Sequence, residues 1–155
     1  MNRTSFYLLF AVLLLAGCQI SPRFSVSGTI SHADGETLYL EHTQLTTTTI
    51  LDSCVLDGEG EFKLHAPSPE HPDFYRLRIG KRSLPLSVDS IEEIIVVSTR
   101  DSLPYTLSIQ GSEASLIMAQ LRATARTATR EELRKQAQEV IVSNPRSLAA
   151  YYAVF

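Results

Sequence analysis

From Phe24 to Ile109 the sequence runs in short stretches of alternating apolar and polar residues, each ended by Gly, Pro or an Asp-Gly pair. A period of two places successive side chains on opposite faces of an extended strand, so each stretch can bury one face and wet the other. Phe24-Ser-Val-Ser-Gly-Thr-Ile30 is the first of them. Asp34-Gly35 then offers the positive φ of a two-residue hairpin turn, and Thr37–Glu41 reads as the partner strand. Thr49–Leu56 is a third strand, preceded by consecutive threonines from Thr46, which favour extended backbone through β-branching. Asp57-Gly58-Glu59-Gly60 is the clearest turn in the chain, and Glu61–His65 returns from it with Phe62 and Leu64 pointing inward. Pro67, Pro69 and Pro72 mark a loop, because proline cannot donate to a strand ladder. Phe74–Ile79, Leu84–Val88, Glu93–Ser98 and Tyr105–Ile109 complete about eight strands.

The pattern changes after Gly111. Ser112 is placed to cap a helix running through Leu116, Ala119 and Ala123. Thr129 and Glu132 match a capping box ahead of a stripe of Leu133, Ala137, Val140 and Ile141. Asn144-Pro145 reads as cap and first residue of a third helix, with Leu148, Tyr151, Tyr152 and Phe155 on one side. No Gly, Lys or Pro stop signal accompanies Phe155, so this helix reads as cut in its middle, or else as a short helix docked through its aromatics. The expected fold is therefore mainly β: an antiparallel β-sandwich or open barrel over residues 24–110, followed by a C-terminal helical extension over 111–155.

Residues 1–17 have the three parts of a secretory leader. Arg3 supplies the positive start, Phe6–Ala16 the apolar stretch, and Leu15-Ala16-Gly17-Cys18 the end. The stretch is too short for a permanent span, which needs ~20 apolar residues. The tetrad resembles a bacterial lipobox, which implies lipid attachment at Cys18, cleavage between Gly17 and Cys18, and a short tether over 18–23. Acyl chains on that cysteine would hold the protein on a membrane, each buried CH₂ contributing about 0.8 kcal/mol. Gln19, rather than Asp, follows the cysteine and points to the outer more than the inner membrane of a Gram-negative envelope.

Composition limits the remaining functions. The 155 residues suit one domain, and a net charge of −3 argues against nucleic acid, which needs concentrated Lys and Arg. With Cys18 lipidated, Cys54 has no intrachain partner and no CxxC pair exists, so Cys54 reads as a small buried hydrophobe. His32, His42, His65 and His71 stand at none of the usual metal-ligand spacings, and there is no GxSxG, phosphate-binding loop or GxGxxG. Asp57–Gly60 lacks the length and ligand order of a calcium loop. No catalytic residue, metal or cofactor is nominated. Asp52, Ser53 and His65 could approach one another across a turn, an arrangement that arises often by chance. Arg76 and Arg78 share one strand face opposite Tyr75, Leu77 and Ile79. They are either a solvated sheet face or a patch for an anion or a partner.

Several segments together carry a family resemblance. They are the lipobox, Phe24–Ile30, Leu38-Tyr39-Leu40, Leu51-Asp52-Ser53, Asp57–Phe62, Pro72–Leu77, Val88-Asp89, Ile109–Ser112 and Asn144–Ser147. In combination they resemble the uncharacterised β-rich domain at the N-terminus of many Gram-negative thioredoxin-like lipoproteins. The resemblance implies a helical linker leading into a thioredoxin fold with a CxxC site. No position here matches that CxxC, so no catalytic residue carries over. The leading expectation is a lipid-anchored, non-enzymatic envelope module that positions or docks a thioredoxin-like domain in cis or trans. The alternatives are an N-terminal fragment of a thiol–disulfide oxidoreductase, which the gene sequence past codon 155 would decide, and an independent ligand-binding lipoprotein.

Overall fold

A computed structural model describes residues 22–154. The leader, with Gly17 and Cys18, lies outside the described residues. All but the last of the alternating stretches become full strands: β1 Arg23–Ser31, β2 Thr37–Thr43, β3 Thr48–Val55, β4 Glu61–Pro67, β5 Asp73–Ile79, β6 Arg82–Val88 and β7 Glu93–Thr99, with a short β8 Ile109–Gln110. They form two four-stranded sheets, ordered β4-β1-β7-β8 and β3-β2-β5-β6. The inward positions of both sheets make one core, in which Phe24, Val26, Leu38, Leu40, Leu77, Leu86, Ile94 and Val96 are wholly buried. Burying each such large side chain contributes roughly 1.5–3 kcal/mol. The mainly-β fold read from the alternation is the one observed, with helices after it.

Connectivity departs from the sequence reading at both Asp-Gly turns. β1 and β2 are not a hairpin, because they lie in different sheets. The Asp34-Gly35 turn carries the chain across the sandwich, with His32 at φ 60° and Ala33 buried. The Asp57–Gly60 turn crosses back from β3 to β4, and the Asp57 carboxylate accepts the Glu59 and Gly60 N–H groups at 3.1 and 3.0 Å. The two crossings are tied together where Gly35 N–H donates to Leu56 O and Leu56 N–H to Glu36 O, both at 2.9 Å. Consequently β1 pairs antiparallel with β4 and parallel with β7, so the otherwise antiparallel first sheet contains one parallel pair. Gly28 makes that pairing possible. Its φ is +142°, and a Cβ there would stand 1.9 Å from Val96 O. The β5–β6 hairpin around Gly80 matches expectation.

The expected last strand is mostly absent. Pro104 starts a single 3₁₀ turn over Leu103–Tyr105, since it has no N–H to give a ladder. β8 keeps only Ile109 and Gln110.

Three helices follow: α1 Glu113–Thr124, α2 Arg130–Ser143 and α3 Leu148–Tyr152. Ser112 caps α1, and Thr129 with Glu132 forms the full capping box of α2. Asn144, expected to cap the third helix, instead closes α2. Ser147 caps α3, accepting the Ala149 N–H at 3.1 Å, and Pro145 lies in the turn between. α1 is fixed to β6 by three buried serines. Ser87 N–H donates to Ser115 Oγ at 2.9 Å, while the hydroxyls of Ser112 and Ser115 reach Ser87 O at 2.9 and 3.1 Å. The α2 stripe of Leu133, Ala137, Val140 and Ile141 faces inward but stays half-buried, and no residue of α2 is fully buried. No helix among the described residues is long and apolar enough to cross a membrane.

Candidate functional site

The outer face of the second sheet holds a charge cluster around Glu41. β2 and β5 pair so that Glu41 stands opposite Arg76 and Tyr39 opposite Arg78. The β-bulge between Leu40 and Glu41 lies beside this pairing. Glu41 is only 2% exposed, so its charge needs partners. Arg76 Nε donates to Oε2 at 2.6 Å, and Arg78 donates to Oε1 through Nε at 2.8 Å and Nη2 at 2.6 Å. Burial pushes the Glu41 carboxyl upward, and the hydrogen bonds and charges of Arg78 and Arg76 outweigh it, holding the group below the usual glutamate range. The bonds that Arg78 donates to Glu41 in turn hold the Arg78 proton more tightly. Arg78 also gives Nη1 to Gly80 O at 3.2 Å and lies 4.4 Å over the Tyr39 ring.

The two arginines therefore share a face, as the alternation implied, and they share it around a buried carboxylate that the sequence reading did not single out. The available signal was an acidic residue ending Leu-Tyr-Leu-Glu and an Arg-x-Arg strand elsewhere in the sandwich. Their separations of 35 and 37 residues hide the contact.

Beside this cluster lies a cleft of about 800 Å³. Its floor is the outer face of β5 and β6 at Phe74, Arg76, Ser83 and Pro85; its walls are the 43–46 loop and the Leu148, Tyr151 and Tyr152 side chains of α3. The Phe74 and Tyr151 rings approach to 5.9 Å between centroids. Arg122 from α1 and Asp73 complete the lining. Arg122 is steadied by its Nε bond to Pro104 O at 3.2 Å. Asp73 accepts from His42 Nε2 at 2.7 Å, and the His42 ring stacks on Tyr75 at 5.0 Å. Burial, with Asp73 nearby, raises the Tyr75 hydroxyl above its usual value.

The other sequence candidates resolve into structural roles. Asp52 and His65 do meet, but through the backbone: Asp52 Oδ2 accepts the His65 N–H at 2.8 Å and so joins the edges of β3 and β4. Cys54 is half-buried against the core. Burial and the neighbouring Asp52 push its thiol up, which lowers its thiolate fraction. Among the described residues no group of three or more His, Cys, Asp or Glu side chains could hold a metal ion.

Residues 24–116 match a family described as a domain of unknown function, DUF4369. The matched span runs from β1 into the first turn of α1 and includes both sheets and the serine clamp. No curated protein matches the chain. Among solved structures, a 9R-lipoxygenase from Cyanothece shares 10% identity with it at a TM-score of 0.33, and the similarity covers 92% of this chain and 29% of that one. A likeness that weak carries no argument about fold or function.

Proposed function

The chain belongs to the DUF4369 family, whose function is unknown, and from that premise we propose that it is a non-enzymatic module of a Gram-negative cell envelope. Lipid on Cys18 anchors it, with the outer membrane favoured over the inner, and its helical layer positions or docks a thioredoxin-like domain in cis or trans. The observation that carries this reading is the state of the helical layer. α2 buries none of its residues fully, and Val142 and Val154 are 79% and 66% exposed. Apolar side chains left in water at that level favour a protein partner. The resemblance noted above implies a thioredoxin-like domain after this same helical segment.

The titratable groups support the non-enzymatic reading. Glu41 is committed to two arginines, Asp52 to backbone N–H groups, and Cys54 has a raised thiol. The test is insulin reduction by the purified full chain with dithiothreitol as reductant. The expected result is a rate equal to the dithiothreitol blank, and turnover above it would sink the reading. The anchor is tested by feeding cells labelled palmitate. Label should enter the wild-type chain and be lost from Cys18→Ser; label retained in that variant rules out Cys18 as the attachment point.

A further inference from the structure

Arg76 is held less completely than Arg78. Arg78 engages Glu41 through two nitrogens and Gly80 through the third. Arg76 gives Glu41 its Nε alone, and its terminal amino groups have no hydrogen-bond partner among the described residues. Glu41 thus fixes the guanidinium plane while leaving its other edge for an acceptor, the geometry that suits a carboxylate. Arg76 lines the cleft, and its side chain is 33% exposed.

The rest of the cleft is chiefly apolar and aromatic. Phe74, Pro85, Leu148 and the two α3 tyrosines surround the floor, and Leu45, 98% exposed, stands at the rim. A volume of about 800 Å³ lies inside the range of small-molecule sites, roughly 300–1,000 Å³. Arg76 and Arg122 line the cleft against Asp73, and the Glu41 behind Arg76 is shared with Arg78, so the arginines outnumber the carboxylates three to two.

We propose that this cleft binds a small amphipathic monoanion of the fatty-acid class. The carboxylate takes the open edge of Arg76, and the apolar body lies along Phe74 and the α3 side chains under Leu45. One unmatched charge fits one anionic head, and apolar walls fit the chain behind it. The site shares α3 with the helical layer proposed above for docking but needs no partner domain, and either can fail alone.

The experiment uses extracts of cells producing the full chain, given no ATP so that the probe cannot be esterified. The probe is a 16-carbon fatty acid carrying a photoactivatable diazirine, compared with the corresponding alcohol. Crosslinks are mapped by mass spectrometry. The acid should label peptides containing residues 43–46, 73–76 or 148–154 at least about tenfold more than the alcohol, the loss expected for one charge-assisted hydrogen-bond pair. Arg76→Gln should remove that preference. Ser83→Phe, which fills the floor and leaves Glu41 and both arginines in place, should abolish labelling by either probe. If Arg76→Gln fails to accumulate, Ser83→Phe decides alone. No capture, equal capture of acid and alcohol, capture surviving Ser83→Phe, or displacement by an acidic apolar peptide but not by unlabelled fatty acid would each overturn the proposal.

Discussion

Replacing Arg78 with methionine tests the buried charge cluster most severely. Glu41 accepts three charge-assisted hydrogen bonds, two of them from Arg78. Arg78→Met keeps the apolar stem but leaves a carboxylate that is 2% exposed with Arg76 alone. Removing one partner of a buried ion pair costs about 3–5 kcal/mol, and the surviving Arg76 places this case near the lower end. Loss of the contact with the Tyr39 ring adds roughly 0.5–1 kcal/mol. A total near 3–4 kcal/mol corresponds to a fall in Tm of about 10 °C for a protein of this size. Glu41→Gln should cost less, about 2 kcal/mol, because the two guanidiniums are 33% and 25% exposed and can take up water. The triple change Glu41→Leu, Arg76→Met, Arg78→Met should return to within about 1 kcal/mol of wild type, since no charge is then left stranded. Urea unfolding followed by circular dichroism measures all three. An Arg78→Met variant within 1 kcal/mol of wild type, or a triple variant worse than either single, would refute the reasoning. The pH dependence has a definite sign. The carboxyl of Glu41 is depressed in the folded state, so its contribution is complete above the unfolded value near ~4.3 and is lost as pH falls through the folded value. Glu41→Gln should therefore flatten the acid side of the stability profile.

Other expectations rest on single contacts. Gly28→Ala would set a Cβ 1.9 Å from Val96 O at a φ of +142°, so it should lower stability by more than about 2 kcal/mol, read as the urea midpoint or as loss of folded protein. Ser115→Ala leaves the buried Ser87 N–H without its acceptor and should cost about 1–3 kcal/mol, with faster amide exchange in α1. Glu92 is raised by burial, against a hydrogen bond from Asp89 N–H, with the Asp89 charge adding to the rise. Its sign is opposite to that of Glu41: the charged form weakens the fold at neutral pH, and the penalty disappears as pH falls through the raised value. Glu92→Gln should thus stabilise slightly at pH 7 and have no benefit at pH 4. The Cys54 peptide should be alkylated at least about tenfold more slowly by iodoacetamide at pH 7 in the folded chain than in urea, as its raised thiol and partial burial require.

The strands were legible because each carries its own period of two, and that signal is local. Which strands pair was not. Asp34-Gly35 has the chemistry of a hairpin turn, yet β1 takes partners as distant as the one that sets Ser25 beside Glu93. Sequence neighbours pair in only about two-thirds of cases, and nothing inside a two-residue turn says which sheet the next strand joins. Helix caps fared similarly. Thr129 with Glu132 is self-contained and read correctly, whereas Asn144 and Ser147 are competing caps three residues apart, and the short connection from α2 favours the second. The arginine face was visible from the alternation of β5 alone. Its meaning depended on Glu41, a single residue in another strand. The cleft was invisible for the same reason, since three strands, a loop and two helices contribute to it, the first helix through Arg122 alone.

The central claim, a docking module working through its helical layer, is tested most directly by site-specific photocrosslinking in cells. A photoreactive residue at Val142 of α2, 79% exposed, is compared with one at the exposed Lys63 of β4 on the opposite sheet, in the full chain co-expressed with a thioredoxin-like domain as a separate protein. A crosslink to that domain is expected from position 142 and none from position 63. Equal crosslinking from both positions, or none from position 142, would contradict it.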